Sequence, residues 1–321
     1  MKQTTDTKID RMDLAFSRRL RIATVARALP HALHQWAFRP FRKTDIARHI
    51  RDQVTLTEYR NSLRHDITSS VLFSGYTDIT SRKVSTECGL SVVLFNALIH
   101  SFDDALDSDQ SRTEMPRFHD ILEMPSVSEV WRAFATSLAA TSHNNQVLEY
   151  VESTFREDFD HYCHLIKRAK HVGDFATVRD IIHYDSGTVL LMIYQIIRIF
   201  CGHPFSRQCA DQFYRMGIAG KYCDDIADLR EDFGANNPNL FLAIAQENTE
   251  ELSVLQGRLG RRQEADCSWL SGNCPKTYEA YFTYATEHYN LIHSAKLRLA
   301  VDAHLLLILS RHRSVRNRLP H

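Results

Sequence analysis

The residues best suited to chemistry are those of Phe102-Asp103-Asp104-Ala105-Leu106-Asp107, which follow the apolar run Leu90 to Ile99. On a helix, Asp103 and Asp107 share a face, while Asp104 is turned away by about 100°. Like charges at this spacing repel by about 0.3 kcal/mol when exposed and by more where burial lowers the dielectric. A cation is the natural relief. A second cluster, Lys221-Tyr222-Cys223-Asp224-Asp225-Ile226-Ala227-Asp228-Leu229-Arg230-Glu231-Asp232, sets Asp224, Asp228 and Asp232 at i, i+4 and i+8. They line one helix face over about 12 Å. The clusters are 224 − 103 = 121 residues apart, so they occupy different helices and can face each other across a bundle. Hard carboxylate oxygens that leave coordination incomplete suit Mg²⁺, which keeps waters and takes further ligands from substrate phosphates. Opposed acidic faces therefore imply a phosphate-bearing substrate between them.

Such a polyanion needs direct cationic contacts. Arg179 lies one or two helical turns before Asp185-Ser186-Gly187 and Lys221 one turn before Asp224, so both are placed to reach the same cavity mouth. Arg230 is a weaker candidate of the same kind, and Arg198 reads equally well as a salt-bridge partner. Gly187 interrupts the strongest apolar segment, Phe175 to Phe200. Glycine inside a helix costs about 1 kcal/mol relative to alanine, so the spacing predicts a break that turns peptide groups toward the core. Phe95, Phe102, Tyr194 and Tyr222 flank the acidic helices and are candidates to line a pocket, although such rings more often belong to the core. Asp120, Asp158 and Asp160 read as solvated face residues, and His161 and His164 as structural. A redox-metal carboxylate bundle would want Glu-x-x-His pairs, which the sequence does not contain.

The elements that must position these groups are helical. Glycine numbers 11 and proline 8 in 321 residues, and apolar residues recur at helical spacing, which predicts an all-α fold. Lys+Arg and Asp+Glu are both 39, so no global field argues for nucleic acid or an anionic membrane. The 7 cysteines, without a C-x-x-C pair, read as reduced thiols of a cytoplasmic protein. No secretory signal is expected at the amino terminus. Thr188 to Cys201, the most apolar segment, falls short of the roughly twenty residues a membrane span needs, so no transmembrane segment is expected. Helices are predicted over 57–76, 90–106, 126–138 (Ser126 as cap, Glu129 completing a capping box), 145–169, 175–200 with its interruption, 206–233, 239–258 and 275–309, with a connection over 81–91. The economical reading is an arm over 1–20, one domain of about ten or more helices over 21–310, and a basic tail over 311–321. A homodimer is the ordinary expectation for a soluble enzyme.

Phe102-Asp103-Asp104-Ala105-Leu106-Asp107 resembles the aspartate-rich motif of the class I terpenoid synthases and trans-isoprenyl diphosphate synthases, and Asp224 to Asp232 resembles their second metal motif. There the cyclases usually carry Asn or Asp, then Ser or Thr, then Glu; here the spacing is kept and all three positions are Asp. The resemblance implies the class I isoprenoid synthase bundle around an apolar cavity. It also implies Mg²⁺, as three ions bound with the substrate diphosphate, and a prenyl diphosphate substrate. Asp103, Asp104, Asp107, Asp224, Asp228 and Asp232 become the metal-site candidates. Arg179 falls near the diphosphate-sensing arginine of bacterial cyclases, and Ser186-Gly187 resembles the helix break that follows it, whose carbonyl assists ionisation. The run Asp228 to Glu231 followed by Asn239-Leu240-Phe241, with Pro30 and Trp36 upstream, is faintly similar to the large terpene synthases. The expected reaction is that of a terpene cyclase. The alternative is a prenyl-chain coupling enzyme, chain-elongating or squalene/phytoene-synthase-like, favoured by the all-aspartate second motif.

Overall fold

A computed structural model describes residues 63–107, 116–172 and 174–302. The arm, the basic tail, the start of the helix expected over 57–76, the end of that over 275–309 and the loop after Asp107 lie outside them. The described residues form α-helices and no strand. In order these are α1 Leu63–Thr80, α2 Thr86–Asp107, α3 Phe118–Leu122, α4 Pro125–Ser137, α5 Asn144–Val172, α6 Phe175–Ile182, α7 Val189–Phe200, α8 Arg207–Ala227, α9 Leu229–Ala235, α10 Leu240–Ala245, α11 Thr249–Gly260, α12 Cys267–Asn273 and α13 Pro275–Asn290. Residues 295–302 are helical again.

Burial concentrates in two apolar bodies that share α8. The larger gathers α1, α2, α4, α5 and α7, with rings of Phe95, Phe102, Phe118, Phe134, Phe155 and Phe159 at its centre. The smaller joins α6 to α10, α11, α12 and α13 around Phe241 and Tyr281. The first half of α8 contributes Cys209 and Phe213 to the larger body, and the second half contributes Tyr222 and Ile226 to the smaller. A helix so placed is fixed from both sides, and its last turn carries the second acidic cluster. By length and composition one described helix, over Glu87–Leu106, could cross a membrane, but in this fold it is a core helix of the larger body.

Several boundaries differ from expectation for identifiable reasons. α2 starts at Thr86, absorbing half of the stretch 81–91 expected as a connection. α4 begins at Pro125 with Met124 as its N-cap and no side-chain cap, so the Ser126–Glu129 capping box does not form. Proline lacks the N–H that a cap would satisfy and its φ suits the first helical position. The stretch 239–258 divides because Asn248 accepts from the Glu251 N–H and starts α11 anew. The helix expected over 275–309 breaks after Asn290, and α12 was not anticipated.

Candidate active site

The apolar half of the site begins at Phe102. Its ring is buried against Phe118 and Phe155, with centroids 5.2 and 4.8 Å away, which pins the last turns of α2. Asp103 then emerges half-buried and Asp104 exposed, the division expected from their 100° offset. Asp107 is the last residue of α2.

Across the bundle, the interruption at Asp185-Ser186-Gly187 takes the form of a π-helical turn, His183–Thr188, between α6 and α7. Such single turns widen the helix and free carbonyls from regular bonding. α8 lies directly against it. A Cβ placed on Gly217 would fall on the Ser186 carbonyl, and one on Gly187 would come within 2.7 Å of the Tyr214 ring. Two glycines thus permit an approach that alanine would obstruct. This contact sets the height of α8 and so presents Lys221 to the π-turn. Lys221 Nζ lies 3.4 Å from Asp185 Oδ2 and 3.9 Å from Asp225 Oδ1. Asp185, then Asp225 and Asp224, hold its ammonium well above the ordinary lysine range although burial opposes this.

Asp225 is 1% exposed. Its Oδ2 accepts from the Leu240 N–H at 3.0 Å, and Asn239 donates through Nδ2 both to the Asp225 carbonyl (2.7 Å) and to Asp232 Oδ2 (2.8 Å). Burial raises the Asp225 carboxyl, while Lys221 and the Leu240 N–H pull it back. This residue ties the second cluster to the start of α10. The face expected to hold metal is Asp224, Asp228 and Asp232. α8 stops at Ala227, but the Asp228 N–H still bonds the Asp224 carbonyl (2.8 Å) and the Asp232 N–H the Asp228 carbonyl (2.8 Å), so the i, i+4, i+8 order survives into α9. Solvent reaches Asp228; burial of its carboxyl, then the charges of Asp224 and Asp232, still push it up to about 6.

Tyr162 on α5 feels charge from both halves. Burial, followed by the charges of Asp185 and Asp103, raises its hydroxyl well above the ordinary tyrosine range, and Lys221 opposes them. One phenol therefore stands within electrostatic reach of the α2 motif, the π-turn and α8 together.

The remaining candidates are dispersed. Arg179, expected beside Lys221, is partly exposed, 3.3 Å from Asp180, with its charge felt by His183 and Tyr222. Arg230 pairs with Glu264. Phe95 is packed among Phe134 and Phe155, Tyr194 accepts the Ser206 N–H at 2.6 Å, and Tyr222 packs on Tyr281, all as core members. Asp158 departs from its reading as a solvated residue: its Oδ2 is buried without a hydrogen-bond partner, and burial, then Glu157, raises the carboxyl to about 6. Asp185, Tyr162, Asp225 and Asn239 were missed. The Lys221–Asp225 i, i+4 spacing was the one signal in sequence that could have found any of them.

Among the described residues no three of His, Cys, Asp and Glu come together closely enough to hold an ion unaided. The donor set nevertheless fits Mg²⁺. Asp224, Asp228 and Asp232 are hard oxygens in sequence along this face; burial and then their mutual repulsion keep Asp228 reluctant to ionise, and a dication shared with phosphate oxygens would relieve the repulsion.

No protein-family model matches the sequence, and no curated protein matches it. Solved structures do. Geranylgeranyl pyrophosphate synthetase from Pyrococcus horikoshii Ot3 aligns with TM-score 0.51 and 14% identity, covering 94% of this chain and 98% of that one. The apo form of an Arabidopsis medium/long-chain length prenyl pyrophosphate synthase aligns with TM-score 0.52 and 14% identity, covering 85% and 96%. The chain therefore has the all-α fold of the isoprenyl diphosphate synthases.

Proposed function

We propose that the protein is a Mg²⁺-dependent enzyme that ionises a prenyl diphosphate and joins the allylic cation to a second prenyl unit. The observation that carries this reading is the Lys221 ammonium held 3.4 Å from Asp185 and 3.9 Å from Asp225 beside the second acidic motif, with the charge of Asp103 from the first motif felt at the same Tyr162 hydroxyl. Likeness of fold to prenyl pyrophosphate synthases supports chain coupling over cyclisation, as does the all-aspartate second motif.

Asp103 and Asp107 on α2, with Asp224, Asp228 and Asp232 beyond it, would hold Mg²⁺ against the diphosphate; Asp104, turned outward, would act on them indirectly. When bound, the metal neutralises charge developing on the leaving diphosphate. Lys221, kept protonated and oriented by Asp185 and Asp225, donates to a diphosphate oxygen from a preorganised position. Tyr162 offers a hydroxyl to the same group. Below them the rings of Phe102, Phe155 and Phe159 keep the approach dry. Aromatic faces stabilise a desolvated cation by about 2 kcal/mol. Attack by the alkene of the second unit forms the new carbon–carbon bond, and loss of a proton restores neutrality.

The π-helical turn at Ser186-Gly187 favours a second reading, the terpene cyclase, since it occupies the place of the helix break the cyclases are expected to carry. Products separate the two. Incubation with Mg²⁺ and allylic diphosphates of increasing length, with and without isopentenyl diphosphate, is expected to give longer diphosphates only when both are present. Cyclic hydrocarbon or alcohol from the allylic substrate alone would decide for cyclisation, and diphosphates left intact throughout would exclude both.

A further inference from the structure

Four rings from three elements form a closed circuit around the contact between α8 and the π-turn. His183, the first residue of the π-turn, stacks on Tyr214 of α8 with centroids 5.7 Å apart and 21° between the planes. Its Nδ1 is hydrogen-bonded to the Tyr214 hydroxyl. His288 of α13 stands steeply tilted to His183 at 6.2 Å, and 6.0 Å from the ring of Tyr222, which is again on α8. The circuit leaves α8 at Tyr214 and returns to it at Tyr222, one residue beyond Lys221. α13 grips the backbone at the same point, since the Tyr281 hydroxyl donates to the Tyr222 carbonyl.

Tyr214, Gly217 and Lys221 stand at i, i+3 and i+7 on α8 and so share a face. Each meets the π-turn: Tyr214 at His183, Gly217 at the Ser186 carbonyl and Lys221 at Asp185. The glycine contact limits how closely the elements approach, but a steric limit does not choose a register along the axis. A hydrogen bond does, because it weakens steeply once its angle is lost. His183 is itself held at both backbone groups. Its N–H bonds the Arg179 carbonyl, and Thr188 Oγ1, at the far end of the turn, donates to its carbonyl at 3.1 Å.

Neither member of the pair brings charge to the site. Burial, then the Arg179 charge, holds His183 below its ordinary range against the pull of Asp180, and burial raises the Tyr214 hydroxyl. Near pH 7 the bond therefore joins two neutral groups, and what they supply is orientation. His288 Nδ1 is buried without a hydrogen-bond partner among the described residues, so its ring backs His183 by contact. The tyrosine ring in turn lies where Gly187 has no Cβ, 2.7 Å from the position that atom would take.

We infer that His183 and Tyr214 are positioning residues for the proposed reaction: their bond registers the π-turn on α8, so that Asp185 holds the Lys221 ammonium at the angle from which it meets the diphosphate. This rests on the reading of Lys221 as a diphosphate donor, and neither ring is asked to touch substrate. Without the bond the π-turn slides along α8, Asp185 moves with it, and Lys221 is left to Asp225. What is lost is preorganisation at the moment the diphosphate departs, so the effect falls on turnover more than on KM.

Tyr214→Phe keeps the ring and removes only the hydroxyl. In coupling assays of the full chain it is expected to lower kcat about tenfold while KM changes by less than about twofold. It should add no further loss in a Lys221→Met background, because the pair acts through that lysine. His183→Leu should match it, and His183→Asn, whose amide offers a donor or an acceptor near the place of Nδ1, should recover most of the rate. A second measurement needs no turnover: acetylation of Lys221 by limiting acetic anhydride, read by mass spectrometry, with circular dichroism to verify folding. An ammonium released from Asp185 holds its proton less firmly, so labelling of Lys221 in Tyr214→Phe should rise about threefold with the other lysines unchanged. Where Tyr214→Phe does not fold, His183→Leu replaces it in both measurements. If wild type couples no prenyl units yet the labelling rises, the function is wrong and the registration of Lys221 stands. Unchanged labelling, an unchanged kcat in an active enzyme, or a full additional loss in the Lys221→Met background overturns the inference.

Discussion

Lys221 is the most constrained charge in the site: one ammonium serves two carboxylates on different elements, and among the described residues it is the one cation paired with Asp225. Removing it strands a buried carboxylate. Because about a third of the lysine side chain is exposed, the cost falls below that of a fully buried pair. Lys221→Met is expected to lose about 2 kcal/mol in urea denaturation near pH 7 and most of its catalytic rate. Asp228 behaves oppositely. Its carboxyl rises from 3.8 to about 6, so the folded chain binds the extra proton between those values. Stability contributed by this group is therefore lost as pH rises through that window and stays lost above it. Asp228→Asn should stabilise the metal-free protein by about 1 kcal/mol near pH 7, after allowance for solvent screening, and by nothing near pH 4. Stability curves at the two pH values check this, and a variant destabilised at neutral pH would contradict the crowding of carboxylates.

At the scale of elements, the contact between α8 and the π-turn decides where the acidic cluster stands. Gly217 and Gly220 lie on the same helix, but only the former is pressed by backbone; a Cβ on Gly220 meets nothing within 4 Å. Gly217→Ala is expected to cost about 2 kcal/mol and to lower turnover by shifting Lys221, whereas Gly220→Ala should stabilise by about 0.7 kcal/mol through helix propensity. Thermal unfolding of both variants tests this, and equal effects would contradict it. Much of this was legible beforehand. Gly187 inside an apolar run announced the break, and the helix expected over 145–169 announced α5. What sequence did not disclose was a pairing over a long separation, that of Asp185 with Lys221. Nor did local spacing tell which aspartate in Asp224-Asp225 is internal, because that depends on Asn239 and Leu240 arriving from the next helix. The division at Asn248 did carry a signal, an Asn three residues before Glu251, outweighed by the apolar content on either side.

At the scale of the whole molecule, two apolar bodies meet along α8, and the Tyr162 hydroxyl feels the charge of Asp103 from α2 together with those of Asp185 and Lys221. The proposed function requires the two motifs to act as a single site. The prenyl pyrophosphate synthases with the same fold are 14% identical to this chain, so its own residues must carry the functional argument. The direct test of joint action is calorimetric binding of inorganic pyrophosphate to wild type, Asp103→Asn and Asp224→Asn, each with Mg²⁺ and with EDTA. One site per chain is expected in wild type only with Mg²⁺, and each substitution, on either helix, should weaken it at least tenfold. Undiminished binding in either variant, or binding that survives EDTA, would contradict a site shared by the two helices.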